Sequence, residues 1–487
     1  MKILRNGRLT AAVSVGIPLA IFMTWTQAGD NTSAQVPDKL VVSPQDKSLD
    51  PYQYMGSASC NGSACHGSTK PKTKFTIPQN EYWVWFDNDS HAKAYDKLTE
   101  PDSQRIAKNL GIANAETSPR CLVCHAVDVD KAHRGANYDV KEGVTCEGCH
   151  GPAEKWLGPH TRRDWDKKKG AEYGMFDTKN LVKRAERCLA CHLGIEKNIV
   201  DHELIGAGHP RLNFELDNFS NVMPSHWLPP KEKADRDWLG ARIWAVGQAV
   251  ALRNQLNLLS VSKMTRNAVW PDLIHFDCYA CHHDVVDRVR DISDEDKKLQ
   301  RWRIREYGGK PGRLVWNASS YTVYRHFIRE MLPDKAEAID QLVTTFHDRL
   351  TGKSSMADFE QSLTKLEQFA KELVTVVEQK KITQKSVWSL MRRIASDGVG
   401  VSNAGFQSAE QATLALASLY DSYKDAVGPP SNGKAIKASI DVLYDDIKMG
   451  RQFDLSKFAQ HLTAVRGFLE QETPASPTKG EANLSSK

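Results

Sequence analysis

Residues 143–152 read GVTCEGCHGP, and the CEGCH at their centre, residues 146–150, governs how the rest of the chain is understood. In a Cys-x-x-Cys-His run two thiols lie about a helical turn apart, with an imidazole directly behind the second. This is the pattern by which c-type haem is held, through two thioether links and an axial histidine. Three more copies follow the same spacing: Cys121/Cys124/His125, Cys188/Cys191/His192 and Cys278/Cys281/His282. The first in the chain, Cys60/Cys65/His66, has a wider loop between its cysteines, which must bulge to bring both sulfurs to the edge of a ring. Together these pairs use all ten cysteines. One copy alone would equally suit a redox dithiol or half of a zinc site. A histidine directly after every second cysteine favours haem, because zinc fingers space the histidine away so that both side chains reach one ion. The expectation is five covalently bound haem c groups, with those ten cysteines as attachment points and His66, His125, His150, His192 and His282 as proximal iron ligands.

The remaining eleven of the sixteen histidines decide whether each iron has a second protein ligand. A haem iron closed on both faces passes electrons, whereas one with an open face can bind a substrate. His91, His160, His202 and His209 lie between the motifs in short polar contexts and are expected as distal ligands. His133, His226, His275 and His283 are weaker candidates. His326, His347 and His461 fall in a helical stretch, where a satisfied or solvated histidine is expected. Met55, Met175 and Met223 are alternatives, although methionine more often fills packing gaps.

The first 28 residues have the form of an export signal: Lys2, Arg5 and Arg8, an apolar run from Leu9 to Trp25, then Thr26-Gln27-Ala28. A periplasmic protein is expected, with an uncleaved membrane anchor as the alternative. Without those cations the formal charge falls from +5 to +2, and the propionates of five haems would make it negative. Basicity is therefore no argument for nucleic-acid binding, and arginines have propionates available as partners.

The fold class expected is mainly α: a multihaem cytochrome c core with little regular secondary structure, followed by a C-terminal antiparallel helical bundle. Residues 29–52 read as a polar linker and 53–290 as a pentahaem domain, whose thin apolar content needs its porphyrins. Residues 291–332 read as a basic linker, including KKLQRWRIREYGGKPGR at 297–313, which is either a docking patch for an acidic partner or a connector. From 333 to 470 helical periodicity is strong. Phe359, Leu363, Leu366, Ala370, Leu373 and Val377 share one face, as do Ile436, Ile440, Leu443 and Ile447. Residues 471–487 read as a disordered tail. Trp238 to Leu259 repeats Leu239, Ile243, Val246 and Val250 and is expected as one buried helix.

The run DSHAKAYDKL at 89–98, CLVCH at 121–125, GVTCEGCHGP with GPH at 158–160, and ERCLACHLG at 186–194 together resemble the tetrahaem cytochrome c-554 family. Its members are electron carriers serving hydroxylamine oxidation in nitrifying bacteria. The resemblance implies stacked haem pairs, distal roles for His91 and His160 toward haems one and three between them, and an open, five-coordinate second haem. The wider first motif, the fifth motif HFDCYACHHD at 275–284 and the helical region depart from it. A lysine in place of a haem histidine, which would mark a pentahaem nitrite reductase, is absent from all five motifs.

The function expected is electron transfer between redox partners, either other cytochromes or a membrane quinol-linked complex, with oligomerisation through the helical region. The competing expectation is an oxidoreductase acting on a small nitrogen or sulfur compound at one open haem, that of His125 by resemblance, with Arg120 or Lys131 binding an anion.

Overall fold

The structure, a computed structural model, describes residues 52–74, 77–195, 199–230, 237–265, 271–278, 314–352, 354–448 and 453–471. The export signal, most of the polar linker, the segment 297–313, the C-terminal tail, and Cys281, His282 and His283 lie outside the described residues.

The first part is a succession of short helices joined by turns: α1 Glu81–Asn88, α2 Pro101–Asn109, α3 Pro119–His125, α4 Cys146–His150, α5 Leu181–His192, α6 His202–Gly206 and α7 Leu216–Val222. Three of the cysteine motifs form the ends of α3, α4 and α5, so the helical turn itself presents both sulfurs on one side. Helix α5 starts at Asn180, whose side chain accepts from the Lys183 amide at 2.9 Å. Among the described residues of 52–160, the apolar contacts form two small clusters. One joins Tyr95, Leu98, Ala107, Ala115, Leu122 and Ala126; the other joins Tyr54, Val127 and Val129. Clusters of this size stabilise little by themselves.

The second part is built from α8 Leu239–Thr265, α9 Ser319–Met331, α10 Pro333–Thr351, α11 Met356–Gln379, α12 Gln384–Ala395, α13 Gly398–Asn403, α14 Phe406–Val427, α15 Gly433–Lys448 and α16 Leu455–Gln471. Helix α11 is capped by Ser355, whose hydroxyl accepts from the Asp358 amide at 3.1 Å, and Phe359, Leu363, Leu366, Ala370, Leu373 and Val377 are buried. Thr383 and Ser386 cap α12 reciprocally. Ile436, Ile440 and Leu443 on α15 and Phe458, Leu462, Val465 and Leu469 on α16 are likewise buried.

The basic linker expected over 291–332 ends early. Residues 319–331 form α9, in which every side chain from Ser319 to Ile328 is buried. Tyr321, Tyr324, Phe327 and Ile328 recur at helical spacing, and Tyr324 stacks on Phe327 beside Trp244 of α8. Full burial of aromatic side chains of this kind contributes about 2–3 kcal/mol each. The long helix α8 is buried as expected and packs against α11, α14 and α9 on one side of the chain and α5 and α7 on the other. One apolar core therefore runs from Ala185 and Leu189 of α5 through α8 to the C-terminal helices. Among the described residues, no helix is long and apolar enough to cross a membrane.

Candidate haem-binding sites

Three of the proximal histidines face a second imidazole from a remote part of the chain. The ring centroids of His66 and His160 are 6.2 Å apart, those of His192 and His91 6.1 Å, and those of His125 and His209 6.4 Å. A metal–imidazole bond of about 2 Å and a nitrogen-to-centroid distance of about 1.1 Å put two axial rings on one iron about 6.3 Å apart. All three pairs are at that spacing, so the residues present fit an iron held between them. Among the described residues no three His, Cys, Asp or Glu side chains converge as a bare metal site would require.

Five of these six rings are aimed by a hydrogen bond at Nδ1, which leaves Nε2 to face inward. His66 pairs with Glu81 at 3.1 Å, His91 with Asp89 at 2.9 Å, and His125, His160 and His209 with the carbonyl oxygens of Ala94 at 2.9 Å, Trp156 at 3.0 Å and Pro210 at 2.7 Å. The hydrogen bond to Glu81 raises the pKa of His66, and Asp89 does the same for His91. Burial works the other way at His150 and His192, pushing both down to about 4, which keeps these imidazoles neutral and able to ligate. His192 is further enclosed by Phe214, stacked at 4.7 Å, and by Phe219 at 5.7 Å.

The motifs also approach one another. The Cys60 and Cys146 thiols lie close enough to shift one another's titration, Cys60 down and Cys146 up, as do those of Cys191 and Cys124. Cys149 lies within electrostatic reach of Cys188 and Cys191. The first motif therefore adjoins the third, the third the fourth, and the fourth the second. Two carboxylates hold the first contact in place: buried Glu147 accepts from the amides of Met55 and Gly56, both at 2.8 Å, and from Ala153 at 2.7 Å, while half-buried Glu142 accepts from the Ser57 amide and hydroxyl.

Cys65 departs from the setting expected of an attachment thiol. It is exposed, whereas Cys60 of the same motif is buried and the other described cysteines are at least partly covered. The two extra residues are the physical reason: 61–65 form an open turn instead of the helical turn that groups the sulfurs in α3, α4 and α5. The Cys65 amide donates to the Gly62 carbonyl at 2.8 Å, and a Cβ at Gly62 would lie 3.3 Å from the Cys65 sulfur, so this side chain folds back over its own loop. The bulge predicted for the first motif is present, but it carries Cys65 to the surface.

His202 begins α6 next to the fifth motif. Its amide donates to Asp272 Oδ1 at 3.3 Å, and Asp272 caps the turn leading to Cys278. Arg120, adjacent to Cys121, donates to both oxygens of Asp201 at 3.0 Å and to Glu203 at 2.9 Å. The anion-binding role considered for Arg120 is thus replaced by a brace between the second motif and α6.

Several further expectations change. The resemblance implies an open face at His125, where the structure sets His209. It also assigns His91 and His160 to the first and third haems, whereas His91 stands opposite His192 of the fourth motif. Among the described residues no imidazole stands opposite His150. His133 is bonded to Asp130 at 2.6 Å, His461 to Asp446 at 2.6 Å and His326 to Asp397 at 2.8 Å. Glu81, Asp89, Glu142 and Glu147 were not singled out from the sequence. Only Asp89, two residues before a candidate ligand in DSH, carried a local signal.

Residues 59–151 match the family described as cytochrome c554 and c-prime. Cytochrome c-554 of Nitrosomonas europaea is 32% identical over 128 residues, covering 23% of this chain and 52% of that protein. The chain thus spans about half the length of that relative. No solved structure matches it. Motif, imidazole spacing and likeness agree that the chain is similar to cytochrome c-554 over residues 59–151, and together they support covalently bound haem c.

Proposed function

We propose that the protein is a periplasmic pentahaem cytochrome carrying electrons between redox partners. Bound haem c supplies one-electron chemistry at iron. The observation that carries the reading is the facing of His66 with His160, His125 with His209 and His192 with His91. Protein on both axial faces suits a carrier, because it excludes substrate from the iron. The thiol contacts support a route in the order first, third, fourth and second motif, with Arg120 and Asp201 extending it to the fifth. Cys65, on its exposed turn, is the second attachment point we assign to the first haem, at the edge of that ring turned toward solvent. His202 is the distal residue we assign to the fifth site, and Cys278, Cys281 and His282 its attachment and proximal ligand. The partners fitting this reading are other cytochromes or a quinol-linked membrane complex.

Mass spectrometry of the protein from the periplasmic fraction should show the mature polypeptide plus five haems, and reductive titration should consume five electrons per chain. A polypeptide-only mass, or a cytoplasmic location, would sink the proposal.

A further inference from the structure

Arg187 directly precedes the first cysteine of the fourth motif on α5 and is only 6% exposed, far deeper than an arginine ordinarily sits. Its guanidinium lies over the face of Phe176, 4.2 Å from the ring centroid. Phe176 is tied in turn to the third motif. Its amide donates to the His150 carbonyl at 2.8 Å, and a Cβ at Gly151 would lie 2.6 Å from the carbonyl oxygen of Gly174, so the two backbone segments run in direct contact. One side chain is therefore fixed to the fourth motif through α5 and to the third through Phe176. Helical spacing agrees, since Arg187 and Cys191 are four residues apart and share a face.

We propose that Arg187 is the counter-ion that receives a haem propionate where the third and fourth haems meet. The inference rests on the multihaem reading above. A guanidinium taken out of water needs an anion with it, and its planar fork matches a carboxylate bidentately. Haem attachment turns the neighbouring thiols into neutral thioethers, whereas each porphyrin brings carboxylates of its own. Glu186, the acid next to Arg187 in the chain, is engaged by Arg253 of α8 at 2.9 Å. The charge of Arg187 also acts on Cys149 as well as on Cys188 and Cys191, in keeping with a place between the two motifs.

The test uses the full-length holoprotein with its haem propionates isotopically labelled, read by infrared spectroscopy and by spectroelectrochemical titration. Arg187→Gln should move the label-sensitive carboxylate stretch. It should also shift the reduction equilibrium of at least one haem toward the oxidised form by roughly tenfold, a fall of about 59 mV for one electron. Lys183→Gln, which removes a charge from an exposed position on the same helix, should alter neither. Arg187→Lys keeps the charge but not the fork, so the stretch should still move while the midpoint falls by less; this variant decides the matter if Arg187→Gln does not fold. Midpoints unaltered in Arg187→Gln, or a stretch unmoved in Arg187→Lys, overturn the assignment. Mass spectrometry keeps the two readings apart: a variant with the wild-type haem count and an unmoved stretch refutes Arg187 alone, whereas a wild-type chain without haem refutes the multihaem reading.

Discussion

Asp397 accepts from two side chains at once, the cationic Arg325 guanidinium and the His326 ring, in a site where Arg325 is 2% exposed. Burial alone would raise the pKa of this carboxyl, but the bond to His326 and the Arg325 charge outweigh it and hold the pKa below the usual range. A depressed carboxylate pKa contributes stability that is present above the unfolded-state value, about 3.9, and is lost as pH falls through the folded one. Asp397→Asn should therefore destabilise the protein by about 3 kcal/mol at pH 7, as loss of one partner in a buried pair does. Denaturant unfolding at pH 7 and again below pH 4 should show the difference between wild type and variant shrinking in acid. Residues of this kind were only partly legible. His326 was expected to be satisfied, and it is; Asp397 and Arg325 carry no pattern that distinguishes them from surface charges, because what makes them a pair is two helices meeting. His91, His160 and His209 stood out in the sequence because short polar contexts isolate them, and each faces a motif histidine, whereas Glu147 was hidden inside a motif whose cysteines drew the attention. For Cys65 the spacing announced a bulge but not its direction, which depends on what the loop packs against.

Among the elements, the turn at Gly143 and Val144 joins two sites that lie far apart in sequence. Gly143 has φ of +71°, and a Cβ there would lie 2.6 Å from the carbonyl oxygen of His91, which in turn accepts from the Val144 amide at 2.9 Å. The Trp85 indole donates to the Val144 carbonyl at 3.0 Å and fixes the same turn to α1. Gly143→Ala should cost about 1–3 kcal/mol, the penalty for a non-glycine residue in this backbone region. It should also displace His91 from His192, seen as a new high-spin haem signal in the oxidised protein. The C-terminal helices were legible because their apolar residues repeat with a period that only a helix satisfies, and caps such as Ser355 mark where they begin. The short helices α3 and α4 were not, since they are hardly longer than the motifs they carry and have no stripe to read. Helix α9 was lost in a segment read as basic, although its aromatic residues had the right spacing.

At the level of the whole molecule, the core crosses the boundary that composition suggested. Helix α8 lies between the haem-bearing helix α5 with its neighbour α7 and the C-terminal helices α9, α11 and α14, and Trp244, Leu252 and Leu256 are buried within it. A chain truncated after residue 318 would leave the apolar surface of α8 uncovered. It should be recovered as aggregate or with sharply reduced haem content, and size-exclusion chromatography with absorption at the Soret band would show this. Spatial neighbours among the motifs are not neighbours along the chain: the first meets the third, and the fourth meets the second. For a polypeptide exported from its amino terminus as proposed, the first porphyrin is delivered while its companion is still inside the cell. That end must wait, unpacked and accessible to the attachment apparatus, and assembly closes only once the later segments have emerged.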